Sequence, residues 1–174
     1  MKTIKFSALL VFSFLFVGLV LVTTVDATDS ATVTADVDIE VIEVTVEPST
    51  FAYGTMAFGD TKESFDVIDE GGVYNIKAEV GNVATALDIS GANTGDWTLA
   101  SEAGVDEYVH GFTKAVDGTS QPSDYAALTT SNTTLEDSVE ANGETWFGLE
   151  IQTPTSGTAE QQSVEVTLTA SSVQ

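Results

Sequence analysis

Residues 31–47 read ATVTADVDIEVIEVTVE. Ala31, Val33, Ala35, Val37, Ile39 and Val41 are apolar, and Thr32, Thr34, Asp36, Asp38 and Glu40 between them are polar. A period of two is the pattern of a β-strand with one buried face. At Val41-Ile42 two apolar residues stand together and the phase slips. From there Ile42, Val44 and Val46 are expected to point inward, and Glu43, Thr45 and Glu47 outward. A slip of one residue exchanges the two faces, so both halves cannot serve one flat core without a bulge or a change of partner. The first half alone would extend about 36 Å at roughly 3.3 Å per residue, longer than a usual strand. Val33, Val37, Ile39 and Val41 are therefore expected to form a self-assembly strand that faces a neighbouring molecule.

Ahead of this stretch, Lys2 and Lys5 precede an almost unbroken apolar run over residues 6–22, and Val25-Asp26-Ala27 offers small residues for cleavage. That is the layout of a secretory signal peptide. Residues 1–27 are expected to be removed, residues 28–47 to form an N-terminal strand segment, and residues 48–174 the globular domain. An uncleaved anchor is the alternative, because the apolar run sits at the lower edge of what spans a bilayer. The protein is expected outside the cell or on its surface, meeting a membrane only through the signal segment before cleavage.

The net charge is −22, with five lysines and no arginine. Loss of residues 1–27 removes two lysines and one aspartate and takes it to −23. Such a surface repels nucleic acid and anionic lipid headgroups, which argues against both as partners. It suits a protein that stays soluble in salt or binds cations. High charge alone would permit disorder, but 43% of the residues are hydrophobic and they are strongly patterned. There is no cysteine, so an exported domain must be stabilised by its core rather than by disulfides. About 147 residues suffice for one domain.

Further along, alternation recurs in short runs. Pro48 ends the first strand by removing a backbone donor. Phe51, Tyr53, Met56 and Phe58 suggest a bent strand interrupted by Gly54, and residues 63–68 alternate weakly around Phe65 and Val67. Asp69-Glu70-Gly71-Gly72 is a turn. Tyr74, Ile76, Ala78 and Val80 share one face, Leu87 and Ile89 mark the next strand, and Tyr108, His110 and Phe112 another. Residues 123–128 are expected to make a single helical turn capped by Ser123. After the Asn142-Gly143 turn, Phe147, Leu149 and Ile151 lie on one face with Trp146 on the other; Val164, Val166, Leu168 and Ala170 close the chain. No sustained helical period follows the apolar N-terminus. The expected fold is all-β: a single immunoglobulin-like or jelly-roll β-sandwich preceded by a long N-terminal strand.

Catalytic chemistry is poorly supplied, and no enzyme and no cofactor are expected. The lone histidine, His110, sits between two aromatic residues of its strand face, the position of a packed side chain rather than a general base. With one histidine and no cysteine a zinc cluster cannot form. A carboxylate pair of the glycosidase kind would be indistinguishable by sequence among so many acids. Calcium is a competing reading, through Asp36, Asp38 and Glu40 on one strand face or the loop pairs Asp106-Glu107 and Glu136-Asp137, yet a straight strand does not converge its oxygens. Trp146 is the candidate ligand-facing aromatic, whereas Trp97 fits a core anchor. Asn132-Thr133-Thr134 is a formal glycan acceptor.

Asp96-Trp97-Thr98-Leu99, with Pro154-Thr155-Ser156 and the terminal SVEVTLTA, resembles secreted prokaryotic surface sandwiches that carry a W-x-L motif. The second motif of the cell-wall-binding W-x-L domains is absent, since Phe147-Gly148 follows Trp146. The order of signal peptide, long alternating strand and cysteine-free sandwich is similar to extracellular filament subunits of the biofilm-matrix and bundling-pilus kind. That resemblance implies an N-terminal donor strand that completes the sheet of the next subunit. The expected function is a non-enzymatic structural protein of the cell surface, a homo-oligomer or polymer. The alternative is a polysaccharide-binding or adhesion module, for which calcium dependence is left open.

Overall fold

The computed structural model describes residues 39–173. Ten strands run through them: β1 (Val44–Glu47), β2 (Thr61–Glu63), β3 (Ile76–Val80), β4 (Thr85–Gly91), β5 (Thr98–Leu99), β6 (Glu107–Ala115), β7 (Ala126–Ala127), β8 (Thr133–Val139), β9 (Glu144–Gln152) and β10 (Val166–Ser172). The larger sheet has the order β1-β3-β9-β6-β5, with β2 also on β9 and β7 also on β6. The smaller sheet has the order β10-β4-β8. Pairing is antiparallel except between β5 and β6. Two sheets packed face to face make the expected all-β sandwich.

Alternation explains the core. Ile76, Ala78 and Val80 of β3, Phe147 and Leu149 of β9 and Phe112 of β6 meet Leu87 and Ile89 of β4 and Leu135 and Val139 of β8, and all are buried. Each of the larger side chains contributes about 1.5–3 kcal/mol when removed from water. Strand β9 is central. Its N-terminal half pairs with β3 and its C-terminal half with β2 along the same edge, while β6 covers the other. Between β3 and β2 the ladder is open, and there the Leu149 N–H donates to Ser64 Oγ at 2.9 Å.

That gap corrects the expected strand over residues 63–68. The chain pairs only through Thr61–Glu63, then turns through a 3-10 helix at Ser64–Asp66 that carries Ser64 into the opening. The expected bent strand over residues 51–58 is also absent. That segment folds over the sheet end, with Gly54 and Gly59 at φ of 78° and 79°, and the Thr153 hydroxyl donates to Ala57 O at 2.7 Å. The helical turn expected over residues 123–128 does not form either. Asp124 has φ 61°, and Ala126 and Ala127 pair with Phe112 and Gly111 of β6. The reason lies in two glycines: a Cβ on Gly148 would come within 2.5 Å of Pro122 Cγ, and one on Gly111 within 3.0 Å of the Tyr125 side chain. These bare positions let the segment lie flat on the sheet.

Candidate assembly surface

Strand β1 begins at Val44, just after the phase slip, and ends at Glu47 before Pro48. Val44 and Val46 pack against the core, as expected from the second phase. Ile42, expected inward, is instead 50% exposed, because β3 ends opposite Val44 and has no residue to bring it under the sheet. The backbone continues past that end on three hydrogen bonds from the β3–β4 turn. The Gly81 N–H donates to Glu43 O at 3.0 Å. The Asn82 side chain then accepts from the Val41 N–H at 2.7 Å and donates to Ile39 O at 2.8 Å. A side-chain amide thus replaces one peptide of a ladder, satisfying a donor and an acceptor that no strand reaches. Gly81 is required: a Cβ there would lie 2.3 Å from Val41 O.

This arrangement leaves Ile39 76% and Val41 45% exposed at the start of the described chain. Val33 and Val37, the other two residues of the expected assembly strand, lie outside the described residues, as do Asp36 and Asp38 of the calcium reading and the signal segment.

Across the sandwich from β1 runs β10, the edge of the smaller sheet, which touches β1. All seven of its residues pair with β4 on one side, from Val166–Gly91 to Ser172–Thr85. On its other side no backbone partner is present among the described residues. Val166, Leu168 and Ala170 face the core yet are only half-buried. Its sequence, VTLTASS, has no charge, proline or glycine. Natural edge strands are commonly blunted by charge, proline or a bulge, and β10 has none of these.

The remaining candidates are placed elsewhere. His110 is 1% exposed on β6, enclosed with Tyr108, and its Nε2 is 3.1 Å from the Tyr53 hydroxyl. Its Nδ1 is buried without a partner. Burial pushes the ring down from the ordinary 6.5 to about 4, so it is neutral. Trp146 is half-buried; its indole N–H donates to Glu144 Oε1 at 3.2 Å, and Gly118 packs on its ring. Trp97, expected as a core anchor, is instead half-buried at the sheet end and outside the core cluster, donating to Thr158 O at 3.1 Å beside Tyr108.

Sequence reasoning passed over one cluster. Glu63 and Glu150 are paired neighbours across β2 and β9, and Glu63 Oε2 accepts from Tyr125 Oη at 3.2 Å and Gln121 Nε2 at 3.0 Å. Burial first, then the charge of Glu63, raises the Glu150 carboxyl above its ordinary value. Only the residue pairing across strands reveals it. Among the described residues no three acidic or histidine side chains converge to hold a metal.

All three described lysines are engaged. Lys62 donates to Tyr53 O at 2.7 Å, Lys77 pairs with Glu47 and Glu79 at 3.3 and 2.9 Å, and Lys114 pairs with Glu136. Any contact between two copies would therefore gain little from ion pairing by these lysines. No family model, curated protein or solved structure matches the chain.

Proposed function

We propose that this is an exported, non-enzymatic structural protein of the cell surface that assembles with copies of itself through its N-terminal strand. One observation carries the reading: the chain's own sheet ends at the phase slip, and Asn82 holds the apolar residues before it extended and exposed rather than folded into the core. An extended segment with alternating apolar residues binds by adding to a free sheet edge, where the main chain supplies affinity and every second side chain fills a pocket. The test is Ile39→Asp. Electron microscopy of the processed wild-type protein should show filaments or sheets, and the variant should remain monomeric with native circular dichroism. Unfolding of the variant, or a wild type that stays monomeric at high salt, overturns the reading.

A polysaccharide-binding or adhesion module is the second reading. It is favoured by an open hollow of ≈ 470 Å³ lined in part by Thr45, Glu47, Pro48, Glu70 and Lys77, next to Trp146. Retardation in a native gel containing glycans that Trp146→Ala abolishes would establish it.

A further inference from the structure

We propose that the free edge of β10 is the acceptor, and that its occupant is the segment of residues 31–37 from a second copy of this chain. The inference rests on the strand-addition reading above and specifies its other half.

Among the described residues four strands end the two sheets, the two- and three-residue β7 and β2 aside, and their chemistry differs. Strand β8 carries Glu136 and Asp137 and its inward Leu135 and Val139 are already buried, so an added strand gains little there. Strand β1 is four residues long, bears Glu47, and runs into Pro48. Strand β5 has two residues. Strand β10 has seven residues without charge, and an apolar row that is partly uncovered. The segment of residues 31–37 is also seven residues long, with Ala31, Val33, Ala35 and Val37 alternating with Thr32, Thr34 and Asp36. Added to β10, its apolar row would cover Val166, Leu168 and Ala170 together with the half-buried Val44 and Val46 of β1 opposite. Its polar row would lie beside Thr167, Thr169 and Ser171, hydroxyl side chains that neither repel Asp36 nor require a counter-ion.

A second copy, rather than the same chain, is the occupant. Ile39 leaves the sheet at the β3–β4 turn, the end at which β10 also finishes, since Val173 N–H donates to Ala84 O. Reaching its own β10 would require the chain to reverse within Asp38-Ile39-Glu40, where Asp38 is the one residue of turn-forming type and Ile39 is tied to Asn82. It would also have to run parallel to β10.

The absence of native cysteine makes the test direct. Chains with their complete N-terminus, processed as expressed, would carry Thr34→Cys together with Thr167→Cys, Thr169→Cys or Ser171→Cys, three partners to allow for register. Controls pair Thr34→Cys with Thr45→Cys on β1 or Thr134→Cys on β8. After mild oxidation, at least one β10 pair should give a ladder of dimers, trimers and larger species on a non-reducing gel, lost on reduction and at least tenfold weaker in both controls. An internally linked monomer would mean the strand folds onto its own chain. Assembly under reducing conditions with ladders only in a control would move the acceptor to that edge, leaving strand addition standing. Assembly without any ladder would overturn the β10 assignment alone. Failure to assemble, with no ladder in any variant, would overturn both.

Discussion

The two edges of the smaller sheet differ although they flank the same strand. On β8, Leu135 and Val139 are 7% and 5% exposed; on β10, Val166, Leu168 and Ala170 follow the same alternation but are only half-buried. The facing sheet makes the difference. Opposite β8 it continues through β9 and β6, and Leu128 closes the flank; opposite β10 it stops at β1. Burial of an edge strand is decided by how far the opposite layer overhangs it, not by the strand's own pattern.

The sharpest way to break this comparison is to truncate one residue on each edge. Leu135→Ala should cost about 2–5 kcal/mol, the usual range for a buried leucine. Leu168→Ala should cost the monomer less, since part of its surface is already in water. Equal losses in urea denaturation would mean that β10 is as closed as β8.

The buried face of β6 gives the next effect. His110, packed among Tyr53 and Tyr108, is held neutral at about 4 against 6.5 in the open chain. A lowered value means that the unfolded chain takes up the proton first as pH falls. The contribution is therefore complete above about pH 6.5 and lost progressively down to pH 4, a change of roughly 3 kcal/mol. In His110→Leu that part of the pH dependence should vanish, so the variant should gain on the wild type as pH falls from 7 to 4. Parallel stability profiles would show that the ring is hydrated. The raised Glu150 carboxyl works the other way: its folded form favours the proton, so stability declines as pH rises through its titration.

The smallest effect concerns the open flank. Asn82→Ala removes two exposed hydrogen bonds and should lower monomer stability by no more than about 0.5–1.5 kcal/mol. On the proposed function, assembly should fall far more, because residues 39–41 lose the alignment that Asn82 gives them. A loss of stability without loss of assembly would make Asn82 a turn residue only. Salt offers a companion check: with processed copies of net charge −23, assembly should rise as ionic strength shortens the screening length.

Much of this was legible in the sequence, for a local reason. A period of two is written in consecutive residues, so Tyr108/His110/Phe112, Ile76/Ala78/Val80, Leu87/Ile89 and Phe147/Leu149/Ile151 all identify buried faces, and the slip at Val41-Ile42 marks where the sheet ends. What was not legible depends on distant partners. Residues 64–66 curl because β9 has an opening at Leu149, and residues 123–128 stay extended because Gly111 and Gly148 leave room. Gly81-Asn82 reads as a turn, and so it is. Its second task, holding Ile39, Val41 and Glu43 some forty residues earlier in the chain, has no local signature. The half-exposure of β10 is likewise set by where β1 stops.

The scarcity of lysine has a consequence for durability. A protease that cuts after basic residues finds in the described chain only Lys62, Lys77 and Lys114, each within a paired strand and each with its ammonium group engaged. Residues 28–61 contain no basic residue at all, so the segment leading into the sandwich offers such an enzyme no site. Trypsin-like digestion of the described residues has to wait for unfolding, and their resistance to such an enzyme becomes a measure of how seldom the sheets open.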